Sequence, residues 1–306
     1  VNVEEEVKSK VLSKRNCMVI GIVVLIVLFG ILVWDLQGRG LRTAMVSQAR
    51  AFASMGKAVL DSSSVVANGD FTNVIFLHHS TGQNLIEQGG VREAFATAGY
   101  DFWDHGYNDQ GLTRPDGTAA GYSYNIPSDN TDPDGLARIF AQHVYELPVN
   151  ALSGLFQHEV IAFKSCFPVS NIISDEQLET YKTYYLSMRD VMDQHPDKIF
   201  IIVTQPPLNP AATDAAAAAR ARALSEWLSS PEYLRGHPNV FCFDFFNYLA
   251  EDDPAFPDYN MLKAAYRDGT DSHPSMKASE TIGPLFVDFV LNAIQTYRVT
   301  YSANGF

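Results

Sequence analysis

The chain has 306 residues, 46% of them hydrophobic and 19% charged, and its 22 Lys and Arg against 35 Asp and Glu give a formal net charge of −13. That length provides one large domain or two small ones with room for a sizeable core, and 20 Gly with 15 Pro exclude collagen-like and low-complexity architecture. The acidic balance excludes nucleic acid as a partner, because phosphate contacts need clustered Lys and Arg, and 3 Cys are too few for a disulfide framework or a Cys-rich zinc module.

The chain begins at Val1, as a truncated, processed or alternatively initiated chain does. Residues 1–16 form a short polar stretch. Met18 to Trp34 is a run of 17 residues without charge or Pro. At 1.5 Å per residue it spans roughly 26 Å, close to a hydrocarbon core of about 30 Å. Cys17 and slight bilayer thinning close the gap, and Trp34 stands where an interfacial aromatic belongs. The run is long for a signal-peptide core and no small-x-small cleavage site follows it closely. An uncleaved transmembrane anchor over 17–36 is therefore expected. Lys8, Lys10, Lys14 and Arg15 precede it, and Arg39, Arg42 and Arg50 follow. The nearer basic cluster is N-terminal, which predicts a cytoplasmic N-terminus and an extracytoplasmic bulk. Cys17 precedes the apolar run, so it is not a lipoprotein cysteine.

Residues 37–70 read as a juxtamembrane linker, with some helical periodicity over Leu41 to Leu60 and turn-rich residues after it. From residue 71 onwards the pattern is that of one domain. Short apolar runs at Val74–Leu77, Tyr100–Trp103, Val160–Phe163, Ile199–Val203 and Val240–Phe243 lack alternation, as parallel strands covered on both faces do. Helical patterns lie between them, at Asn84–Thr97, Asp134–Val144, Ser174–Gln194, Asp214–Leu228 and Ser275–Tyr297. Strand and helix in repeated succession predict a doubly wound α/β sheet with five parallel strands. Cys166 and Cys242, at or inside strands, read as buried free thiols.

Such sheets carry their sites beyond the carboxyl ends of the strands. The first strand ends in His78-His79-Ser80-Thr81-Gly82. A serine between a strand and a helix N-terminus is placed either as a nucleophile, with helix amides facing a developing anion, or as a cap. The third strand ends in Lys164-Ser165-Cys166, with Asn171 following. Lys164 calls for a nearby acid. Before the last helix stands Asp268-Gly269-Thr270-Asp271-Ser272-His273-Pro274. A His beside an Asp can serve as a general base whose tautomer the acid fixes.

With these residues in this order, the chain resembles the SGNH (GDSL-type) hydrolase superfamily over about residues 72–297. The stretches HHSTGQNL, WDHGYN, GYSYNIPSDNTDPDG, FKSCFPVSNI and DSHP look like a bacterial branch of it. The resemblance implies a flavodoxin-like three-layer α/β/α sandwich and a serine hydrolase that needs no cofactor and no metal. It implies Ser80 as nucleophile and His273 as general base. Asp271 is favoured as the orienting acid, with Asp268 the alternative, because the family's D-x-x-H would place the acid at Thr270. It further implies an oxyanion site made by Ser80, a glycine at Gly106 or Gly111, and Asn171. The implied substrates are short acyl esters, acetyl groups on carbohydrates foremost, with hydrolysis or transfer of the acyl group.

Three other readings compete. A metal-dependent hydrolase would draw ligands from His78, His79, Asp104, His105, Asp271 and His273, but adjacent residues of a strand point to opposite faces. A calcium loop at Asp129–Asp134 lacks the EF-hand glycine and glutamate, and Asp132 as helix cap before Pro133 is simpler. A glycan-binding domain without chemistry would use Trp103, Tyr122, Tyr124 and Phe167 as a sugar platform.

Overall fold

The computed structural model describes residues 25–30 and 41–304. Of the expected anchor over 17–36, only residues 25–30 are among them; they are helical and exposed. The rest of that span, Cys17 and the flanking basic residues up to Arg39 lie outside the described residues. Among the described residues no helix is long and apolar enough to cross a membrane. The chain divides into two compact units, Val1–Ala53 and Ser54–Phe306. Helix α1 (Leu41–Asp61) crosses that division. Its last turns belong to the larger unit, where Ser54 Oγ donates to the Ser123 carbonyl at 2.9 Å and Asp61 accepts from Arg114 at 2.7 Å.

The larger unit is built on six strands: β1 (Asn73–Leu77), β2 (Asp101–His105), β3 (Leu112–Thr113), β4 (Val160–Lys164), β5 (Ile199–Val203) and β6 (Val240–Phe243). Their order in the sheet is β3-β2-β1-β4-β5-β6, with all pairs parallel except β2 with β3. The expected five-stranded parallel sheet is thus a mixed sheet of six. The sixth strand has two residues, too few to leave a pattern in the sequence. It forms because Gly111, at φ 71°, turns the chain back after β2.

Helices cover both faces. Ile75, Leu77, Ile161, Phe163, Phe200 and Ile202 pack on one side with α4 (Pro133–Phe140), α5 (Ala151–Leu155), α6 (Asp175–Met192) and α7 (Ala215–Ser229). Val74, Phe76, Val160, Ala162, Ile199 and Ile201 pack on the other with α2 (Ser80–Gln88), α3 (Val91–Thr97), α9 (Phe245–Leu249) and α10 (Met276–Asn304). A short α8 (Pro231–Leu234) precedes β6. Burial on both faces is why the strand residues are apolar without alternation.

Helix starts follow local chemistry. Ser174 Oγ accepts from the Gln177 amide at 3.2 Å, and Asp214 Oδ1 accepts from the Ala216 and Ala217 amides, so both cap as Ser, Asp and Asn do. The single helix expected over Asn84–Thr97 is two helices, broken at Gly89-Gly90, where Gly90 adopts φ 64°. The break lets α2 approach α10 at backbone distance. A Cβ added to Gly283 of α10 would lie 2.4 Å from the Gly89 carbonyl oxygen. The helix bearing Ser80 and the helix that follows His273 are therefore registered glycine against glycine.

Read along the sheet, the parallel strands reverse direction of travel between β1 and β4. The crevice at the carboxyl ends of these two strands is where such sheets hold ligands. Ser80 follows β1 and Cys166 follows β4.

Candidate active site

Ser80 is the first residue of α2, with His79 at its N-cap position. The Gly82 and Gln83 amides both reach the His79 carbonyl at 2.9 Å. The Ser80 and Thr81 amides precede any intrahelical partner and face outward from the helix end. His273 comes from the loop before α10. Its Nε2 lies 2.8 Å from Ser80 Oγ, and its Nδ1 lies 2.9 and 3.0 Å from the two carboxylate oxygens of Asp271. A carboxylate only accepts, so Nδ1 carries the hydrogen and Nε2 offers a lone pair to the Ser80 hydroxyl. The hydrogen bond to His273 holds the Asp271 carboxyl below the usual carboxylate range. Between the two candidate acids, Asp271 makes this contact; Asp268 is exposed and makes no contact with His273. Phe167 packs edge-on against the His273 ring, with centroids 4.8 Å apart.

These groups open on a cavity of about 560 Å³. One wall is Cys166 to Val169 after β4. The other is Ser128 to Asp132, with Tyr107 and Tyr181 at its sides. Cys166 is thus a cavity residue rather than a buried one, its Sγ 3.8 Å from Ser80 Oγ, whereas Cys242 is buried in β6. Ser128 and Asp129 both hold left-handed backbone, at φ 56° and 51°. Such conformations in non-glycine residues concentrate at functional sites.

The expected oxyanion partners are elsewhere. The Gly106 amide donates to the Gly111 carbonyl at 3.3 Å, and the Gly111 amide to the Tyr107 carbonyl at 2.7 Å. Asn171 is exposed at the end of a short turn, its amide on the Pro168 carbonyl. None of the three lines the cavity. The sequence reading gave Tyr107 and Tyr181 no individual role and weighed Asn130 and Thr131 only within a calcium loop; the signal was the run of turn-forming polar residues at 127–132.

Lys164 departs from expectation as well. It is 1% exposed, and its hydrogen-bond partners among the described residues are a hydroxyl and a carbonyl rather than a carboxylate. It donates to Thr81 Oγ1 and, at 2.9 Å, to the Ser165 carbonyl. Burial pulls its ammonium down to about 8.

Beneath the site lies a layer of buried histidines. His78 bridges the His79 carbonyl and Asp104, which Arg92 also pairs. His105 Nδ1 donates to the Gly106 carbonyl while its Nε2 accepts from the Tyr124 amide at 3.0 Å, a geometry that requires neutral imidazole. His158 lies between Asn73 and the Tyr124 hydroxyl. His79 stacks on Tyr107, with centroids 4.1 Å apart. The proposed metal ligands are thus dispersed, and among the described residues no three His, Cys, Asp or Glu gather to hold an ion.

Burial pulls His79 and His105 down to about 4 and His158 well below its ordinary value. The unfolded chain binds protons on the His79 and His105 rings below pH ~6.5 and the folded one does not until about pH 4, so stability falls as pH drops through that window, and His158 acts in the same direction. His105 alone accounts for about 3 kcal/mol. Thermal melts at pH 7, 5.5 and 4.5 are expected to fall in midpoint; a flat profile contradicts the neutral-histidine layer.

No family model matches the chain, and no curated protein matches it in sequence. Among solved structures it is similar to a candidate acylhydrolase from Bacteroides fragilis NCTC 9343, at 11% identity and a TM-score of 0.49, covering 77% of this chain and 95% of that one. It is also similar to a candidate platelet activating factor protein from Streptococcus pneumonia, at 13% identity and a TM-score of 0.46, covering 84% of this chain and 99% of that one.

Proposed function

We propose that the chain is a serine esterase of the SGNH type acting through Ser80, His273 and Asp271. The observation that carries this reading is the unbroken line of hydrogen bonds from Asp271 through His273 to Ser80, ending in a cavity. The strand order β2-β1-β4-β5-β6, flavodoxin-like once β3 is set aside, and the position of Ser80 at the strand-order reversal support it.

In the reaction, His273 Nε2 takes the Ser80 proton as Oγ attacks the ester carbonyl. The Ser80 amide, at a helix N-terminus, donates to the oxyanion, and the Thr81 amide and the buried Lys164 ammonium add positive potential on the same side. His273 then gives its proton to the leaving alcohol. Water, activated by the same nitrogen, releases the acid and restores Ser80. Gly106 and Asn171 have no part in this scheme. Acetyl and other short acyl esters on carbohydrates are the substrates the family resemblance suggests. The apolar run Met18 to Trp34 and its basic N-terminal flank support a single-pass anchor holding this domain outside the membrane.

A sugar-binding domain without chemistry is disfavoured. Trp103, Tyr122 and Tyr124 are buried, which leaves Phe167 alone of that platform at the cavity. The test is hydrolysis of p-nitrophenyl acetate by the full chain in detergent, with and without a chelator, beside labelling by a fluorophosphonate. Turnover insensitive to chelator and a label on Ser80 are expected. A folded protein that neither turns over nor labels overturns the reading.

The Asp271 side chain is 60% exposed, so water shares its work. Asp271→Asn is expected to lower kcat by about 10- to 100-fold, less than the ~10⁴-fold typical of a buried triad acid. A loss as large as that of His273→Ala would show that Asp271 acts as a buried acid does.

A further inference from the structure

The cavity beside Ser80 has an uneven charge. Its wall includes Asp129 and Asp132 and no Lys or Arg. Asp132 sits at the N-cap position of α4, yet its carboxylate makes no cap hydrogen bond; its own amide is taken by Asn130 Oδ1 at 3.0 Å. A carboxylate at a helix start normally turns onto the first amides. This one makes no such bond and stands in the cavity wall. Asp129 gives one oxygen to the Asn108 amide at 2.9 Å. Burial, and then the charge of Asp109, push its carboxyl up, the mark of a negative group short of compensation.

The rest of the wall suits a cation. Tyr107, Phe167 and Tyr181 line it, and aromatic rings attract ammonium groups. His79 is 7% exposed, belongs to the same wall, and its buried Nε2 has no hydrogen-bond partner among the described residues. Burial, followed by the nearby Lys164 charge, pulls it down to about 4, so it is neutral at pH 7 and repels no cation. Lys164, the one buried cation nearby, lies outside the cavity wall, bonded to Thr81 and Ser165.

We propose that this cavity selects esters bearing a positively charged ammonium group, held by Asp129 and Asp132 against Tyr107, Tyr181 and Phe167. The proposal rests on the esterase reading for its turnover but not for its binding. Two partly screened carboxylates and an aromatic wall give at least ~10-fold preference for a cation over a neutral molecule of the same shape.

The experiment compares kcat/KM of the full chain for 2-(trimethylammonio)ethyl acetate and its uncharged isostere 3,3-dimethylbutyl acetate, with 3-acetoxypropanoate as the anionic member. The expected order is cation, neutral, anion, with at least 10-fold at the first step. Asp129→Asn and Asp132→Asn should each narrow that step, the double variant should bring it near 1, and 0.5 M salt should compress it. Asn keeps the acceptor for the Asn108 amide, so folding is preserved and is checked by circular dichroism. Equal rates for cation and neutral ester, or a preference that survives the double variant, overturn the proposal. If none of the three esters is hydrolysed, the esterase reading fails separately, and calorimetry with choline on the Ser80→Ala chain decides the cation site. Binding lost with Asp129→Asn and Asp132→Asn supports it; absence of binding overturns it.

Discussion

Ser80→Ala and His273→Ala are each expected to lower the hydrolysis of p-nitrophenyl acetate by at least ~10³-fold, and the double variant should be no slower than the slower single variant. The reason is geometric. The hydroxyl is a weak nucleophile at pH 7, and the 2.8 Å contact to His273 Nε2 is its route to lose a proton. With either partner gone the other has nothing to act on, so the losses do not add. The variants should fold as the parent does, since the Ser80 hydroxyl bonds Cys166 Sγ and His273 rather than the backbone of its helix, and His273 is half-buried at a loop. Losses that multiply in the double variant would mean the two residues act independently, against the dyad.

Gly283→Ala is expected to destabilise the domain by about 2–4 kcal/mol and to reduce turnover in the fraction that remains folded. In an exposed helix this exchange gains up to ~1 kcal/mol from backbone entropy. Here the added carbon meets backbone rather than a side-chain tip: the Gly89 oxygen at 2.4 Å and its Cα at 2.6 Å. Backbone atoms have no rotamer through which to yield, so α2 and α10 must part. Because α2 begins at Ser80 and α10 begins three residues after His273, separating them lengthens the Ser–His contact. A melt and a kcat measured on the same preparation check both halves. A variant more stable than the parent would contradict the close packing.

Much of this was legible in the sequence because it depends on local pattern. Five apolar runs without alternation fall on five parallel strands, and Ser174 and Asp214 announce the helices they cap. The placement of Ser80 at a strand end and of Asp271 and His273 at a helix entry was legible because both are marked by their own punctuation. The two-residue β3 and the break at Gly89-Gly90 were not, the first for lack of length and the second because a glycine pair inside a helical pattern is tolerated until packing uses it. The Gly106 and Asn171 assignments rested on the family resemblance, and a resemblance does not say whether an amide is already taken. The wall at 128–132 was hidden for a related reason. Its Asp and Asn residues carry the composition of any turn, and only the fold brings them opposite Ser80.

The hydrogen bond between His273 and Ser80 joins residues 193 positions apart. A chain leaving the ribosome therefore holds its serine long before it holds its histidine. Sheet, crevice and cavity walls can form while the site is still incomplete, and α10, emerging after every strand of the sheet, brings His273 into place by docking along the glycine seam. Closing so long a separation is slow and entropically costly relative to local contacts. The onset of fluorophosphonate labelling during refolding then times the arrival of α10, separately from the rise of secondary structure.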